Sequence, residues 1–160
     1  LIYNSLIESH LTYGIPIWGY TQKQHLHALT TQQKKAVRHI TNSAYNAHSE
    51  PLFRHCNIFK VPDLIKLHSL KFMHRIIDTS APPEIQNSFP VRPLTTPMNT
   101  RQIDIHIPLF RSPSCQNTIL YQGPNLIHTL TPELKTKLNT SLETFTKHCK
   151  QNILHSYIHI

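Results

Sequence analysis

"PDLIKLHSLKFMHRIID", residues 62–78, decides how this chain folds. Pro62 suits the first turn of a helix, where a missing backbone amide sacrifices no intrahelical bond. Beyond it Leu64, Ile65, Leu67, Leu70, Phe72, Met73, Ile76 and Ile77 recur at helical spacing. They fall on more than one side, so the helix needs partners around it and belongs at the centre of a bundle.

Toward the N-terminus the pattern predicts those partners. Ile2, Tyr3, Leu6, Ile7, His10 and Leu11 form the face of a first helix that Gly14 stops. No residue ahead of Leu1 is available to cap it, which predicts a piece of a longer chain, and its apolar face wants a partner. Trp18, in the turn Ile-Pro-Ile-Trp-Gly, is read as plugging the bundle end, with stacking on a base as the alternative. A capping box of Thr21 and Gln24 opens a helix over 22–41. Its buried stripe is Leu26, Leu29, Ala36, Val37 and Ile40, and Lys23, Lys34, Lys35 and Arg38 lie off it. In "SEPLFRHC", residues 49–56, Ser49 caps a short third helix, Pro51 lies in its first turn and Asn57 ends it.

Toward the C-terminus the composition changes. Residues 79–101 hold five of the chain's twelve prolines and no helical period, as in an extended linker. Ile103, Ile105, Ile107 and Leu109 then alternate with Asp104, His106 and Pro108, the period of a half-buried edge strand, with "TILYQ" at 118–122 as its partner. Gly123 and Pro124 are read as a turn. Thr131 and Pro132 start a short helix, and a box of Thr140 and Glu143 opens a last one bearing Leu142, Phe145, Cys149 and Ile153. The fold class is therefore mainly α: a helical bundle over 1–78, a Pro-rich linker over 79–101, and a small α+β module over 102–160.

The charges narrow the function. Sixteen Lys and Arg against eight Asp and Glu give the 160 residues a net charge of +8, which suits a polyanionic partner such as nucleic acid. Lys34 and Arg38 stand one turn apart with Lys35 beside them, and Lys71 and Arg75 repeat the spacing on the central helix, so these five are the candidate phosphate contacts. The acids are scattered singly, whereas two-metal phosphoryl chemistry needs convergent carboxylates. Three glycines leave no phosphate-cradling loop. His148, His155 and His159 would share a helix face beside Cys149, but no paired-cysteine spacing accompanies them, so neither a metal nor a catalytic residue is assigned. Three widely spaced cysteines fit a reducing compartment. No run reaches the roughly 18 apolar residues of a membrane span.

Several blocks in order, "LIYNSLIESHLTYGIPIWG" (1–19), "LTTQQKKAVRHITNS" (29–43), "AHSEPLFRHCNIFKVPDLIKL" (47–67) and "YQGPNLIHTLTPELK" (121–135), resemble the C-terminal region of jockey-like non-LTR retrotransposon reverse transcriptases. The family's Tyr-Gly and Trp-Gly thumb segment corresponds to residues 6–19. Its Gln-Lys-Lys-Ala helix corresponds to Gln33–Asn42, and its His-Ser/Thr-Glu-Pro-Leu string to His48–Leu52. Ile127 and His128 depart from the Trp-Asn common in the family, and Thr131 replaces a Pro. The resemblance implies a thumb-like bundle holding a primer–template duplex by its backbone, a role to which position and charge alone assign Lys34, Lys35 and Arg38. It implies a palm and earlier thumb upstream as the partner of the first helix, and divalent metal only in that palm, with no cofactor in these residues. It also implies an intracellular setting, cytoplasm or nucleus. Two other readings stay open at this level: a stand-alone RNA- or DNA-binding module, and a His-rich metal-binding protein.

Overall fold

The computed structural model describes residues 2–89 and 105–157, which are mainly helical and contain no strand. Helix α5 (Val61–Ile77) runs where the apolar spacing places it, and it is buried on two sides. Residues 2–12 form one helix that passes through a π-helical segment, Asn4–Glu8, into α1 (Ser9–Thr12). Gly14, at φ 59°, stops it, and α2 (Ile15–Trp18) follows as a single turn. Next come α3 (Lys23–Ile40) and α4 (Ser49–His55). Beyond α5 lie α6 (Pro83–Gln86), α7 (Pro113–Gln116), α8 (Ile119–His128), α9 (Pro132–Lys137) and α10 (Leu142–Ser156).

The two sides of α5 meet different partners. Val61, Leu64 and Ile65 pack with Ile15, Leu11, Trp18, Tyr20, Leu26 and Leu29. Leu67, Leu70, Met73 and Ile76 instead join a core with Ile105, Ile127, Leu130, Leu134, Leu138, Phe145, Cys149 and Ile153. Phe89 is buried in that same core, just past the α6 turn, inside the stretch read as an extended linker; residues 90–104 lie outside those described. A smaller cluster of Tyr3, Val37, Phe53 and Ile58 ties the first helix to α3 and α4. Trp18 is half-buried against the cluster of Ile15, Val61, Leu64 and Ile65, and its indole N–H donates to the Tyr13 carbonyl at 2.7 Å.

The predicted C-terminal strands are corrected. Residues 119–122 of "TILYQ" open α8, with the Tyr121 and Gln122 amides bonded to the Thr118 carbonyl. Gly123 and Pro124 are not a turn but the middle of the same helix. A Cβ on Gly123 would collide with the buried Met73 side chain, so the glycine lets α8 lie against α5. Of the other strand, residues 103 and 104 lie outside those described, Ile105 is buried and hydrogen-bonded through its carbonyl to His128, and Leu109 is 94% exposed. Among the described residues of this stretch Ile105 makes an isolated bridge and residues 106–111 take no regular structure, so no strand forms there.

The caps differ in detail. Gln22, not Thr21, precedes α3 and provides no side-chain cap, and the Gln24 amide bonds to the Gln22 side chain at 2.9 Å. His48, not Ser49, precedes α4. Ser141, one residue after the proposed Thr140, caps α10 by accepting from the Thr144 amide at 3.4 Å. On the first helix Tyr3 is buried, but Ile2 (72%) and Leu6 (62%) are exposed, and so is His10. On α3 Ile40 is exposed, while Gln33 joins Val37 as its buried residue.

Candidate functional site

The five candidate phosphate contacts fall in two places. On α3, Lys34, Lys35 and Arg38 are all half-buried. The Arg38 Nε–H donates to the Ala47 carbonyl at 2.9 Å, so this side chain closes the loop between α3 and α4. Lys34 lies near enough to Glu50 of α4 to help hold that carboxyl below its usual range, although the chief cause is the Lys60 ammonium bonded to it. Part of the α3 charge is therefore answered within the fold.

Lys71 and Arg75 stand elsewhere, on α5, and tertiary packing gives them company the sequence did not assign. They line a cleft of about 490 Å³ with Lys147 and Lys150 of α10, between walls that include Leu142 and Leu154. Glu143 is the acid among the described residues lining it. Burial first, and then the nearby Arg75 and Lys150 charges, lower the Lys71 ammonium from its usual range. His68, one turn before Lys71, is pushed down to about 4 by burial and by the charges of Lys71 and Lys150. Burial dominates both shifts, and the neighbouring cations add to it. Lys147 and Lys150 are three apart on a helix, a spacing visible in the sequence, but nothing local to either helix ties them to Lys71.

The packing beneath the cleft is firm. His74, buried on α5, engages the Thr140 carbonyl through Nε2 at 2.9 Å and stacks at 5.0 Å on Phe145 of α10. At the far end of α10 the Tyr157 hydroxyl donates to the Asp63 carboxylate and accepts from the Lys60 amide at 3.1 Å, and the Lys60 ammonium lies 4.6 Å from the centre of the Tyr157 ring. Burial raises the Tyr157 hydroxyl above its ordinary range, reinforced by the Asp63 bond.

The histidines of α10 border a different cleft. His148 and His155 line it with Glu133, Lys137 and Asn152, and among the described residues no three His, Cys, Asp or Glu side chains converge as a metal site. His159 lies outside those residues. Burial pushes the Cys149 thiol up to about 11, which keeps it protonated. Among the described residues no helix is long and apolar enough to cross a membrane.

No family model matches the chain, and no solved structure matches it. Over 64 residues, 40% of its length, the chain is 31% identical to the probable RNA-directed DNA polymerase from transposon BS of Drosophila melanogaster, and the matched stretch spans 7% of that protein. Through this stretch the chain is related to a transposon RNA-directed DNA polymerase, a small part of whose length it matches.

Proposed function

We propose that this chain is the part of a non-LTR retrotransposon reverse transcriptase that follows the catalytic palm, with residues 1–78 as a thumb-like bundle holding the primer–template duplex by its backbone. The observation that carries the reading is the 31% identity, over 64 residues, to a transposon RNA-directed DNA polymerase. The order of the family-like blocks from residue 1 to residue 135 and the excess of cations on α3 and α5 support it. Phosphate contacts need flexible cations on rigid rods and no base readout, which suits a surface that must follow any template. The metal-binding carboxylates belong to the palm of the parent, so the chain alone extends no primer. Exposed Ile2, Leu6, Tyr13 and Ile17 offer that upstream part an apolar face.

Binding to a labelled RNA–DNA hybrid across a salt series tests the reading. Each neutralised phosphate releases counterions, so affinity should fall steeply with salt. Lys34→Gln with Lys35→Gln should weaken unrelated sequences equally and flatten the log–log slope by about two. Arg38 stays intact, because its bond to Ala47 shapes the fold. Unchanged slope would remove α3 from the interface. Loss for one sequence only would favour a stand-alone module that reads bases, and primer extension by the pure chain would overturn the missing palm.

A further inference from the structure

We infer that α10 completes a phosphate-binding cleft with α5, in which Lys147 and Lys150 act with Lys71 and Arg75 on the backbone of a bound nucleic acid. The inference rests on the nucleic-acid reading above and extends it to the C-terminal helices, to which that reading gives no task.

Four cations from two helices open on one cleft of about 490 Å³. Like charges so placed repel, and an arrangement of this kind persists only where packing imposes it. Here the packing is visible: Leu70 and Met73 of α5 share a buried core with Phe145, Cys149 and Ile153 of α10, and His74 reaches across to Thr140. Among the described residues lining it, Glu143 is one carboxylate against four cations, so they carry a surplus that a polyanion would neutralise. Arg75 can engage a phosphate through two parallel N–H groups, while the lysines act as point charges on mobile stems. Among the described residues the walls carry Leu142, Leu154 and aliphatic stems and no aromatic ring, which favours backbone over base.

The test uses the full chain and the same labelled hybrid. Lys147→Gln with Lys150→Gln, both exposed and off the core, should flatten the log–log salt slope by about two and weaken hybrids of unrelated sequence alike. Glu143→Gln, which removes the opposing charge, should tighten binding severalfold at low salt, a gain that misfolding cannot imitate. If the α10 variant keeps wild-type affinity and slope while the Lys34 and Lys35 variant loses both, the cleft assignment is overturned and the thumb-like reading stands. If the wild-type chain shows no salt-dependent binding at all, both fall together. Displacement of the hybrid by inorganic phosphate held at constant ionic strength, with no effect of the α10 variant on hybrid binding, would mark a site for free phosphate and also overturn the inference.

Discussion

Gln33 is a polar residue that the fold treats as core. It is 2% exposed, and its amide N–H groups donate to the Tyr3 hydroxyl at 2.7 Å and the Phe59 carbonyl at 2.8 Å. Its carbonyl oxygen accepts from the Val61 amide at 2.9 Å, one of the first amides of α5, which have no intrahelical acceptor. One side chain on α3 thus caps α5 and fixes the first helix. Burial also raises the Tyr3 hydroxyl above its ordinary range, partly offset by the Gln33 bond. Replacing Gln33 by Leu keeps most of the volume but strands three partners, of which the Tyr3 hydroxyl and the Val61 amide are buried and the Phe59 carbonyl half-buried. We expect a loss of about 2–3 kcal/mol, read as a lower urea midpoint at unchanged slope. A midpoint within error of wild type would show that water reaches these groups.

Helix ends show how a chain with three glycines turns its corners. After α3, α4 and α5 the reversing residue is Asn42, Asn57 or Thr79, at φ 49°, 52° and 54°. In each case the next amide bonds back across the last turn: Ser43 to Arg38, Ile58 to Phe53, and Ser80 to Arg75. Asparagine tolerates the left-handed region, but a β-branched threonine is strained in it. Thr79→Gly should therefore stabilise the protein by about 1 kcal/mol and raise the melting midpoint, because the strain removed exceeds the entropy added to the unfolded chain. A lower midpoint would mean that the Thr79 side chain makes contacts worth more than its strain. The same economy explains Gly123, which is kept for closeness to Met73 and not for a turn.

At the scale of the molecule, α5 joins two cores that, among the described residues, have no other helix in common. Trp18 lies against one of them and Phe145, fully buried, belongs to the other. Phe145→Ala should cost about 3–5 kcal/mol, since it empties a ring-sized space against His74 and Met73's core. If α5 couples the two sides, the fluorescence of Trp18, the one tryptophan, will shift to lower denaturant together with the helical signal. A Trp18 transition left at its wild-type midpoint would instead mean that the sides of α5 unfold separately.

Local chemistry determined where most of the longer helices lie. Pro62, Gly14, Asn57 and the repeating apolar positions act within one or two turns, so α3, α4, α5, α9 and α10 were legible within a residue or two. The same local signals misread residues 118–124, because alternation over so few positions suits a strand and a helix equally until a partner chooses. Here the partner is Met73, some fifty residues earlier, which admits Gly123 and draws the segment into α8. Lys71 and Arg75 could be singled out as paired cations, but Lys147 and Lys150 could not be placed beside them. Contacts such as Tyr157 with Lys60, 97 residues apart, bring α10 onto α5, and apolar packing of that range leaves no periodic trace in the sequence. The sequence by itself therefore determined α3, α4, α5, α9 and α10 and the sign of their charge, and the tertiary structure decided that residues 119–128 are helix and which cations share a cleft.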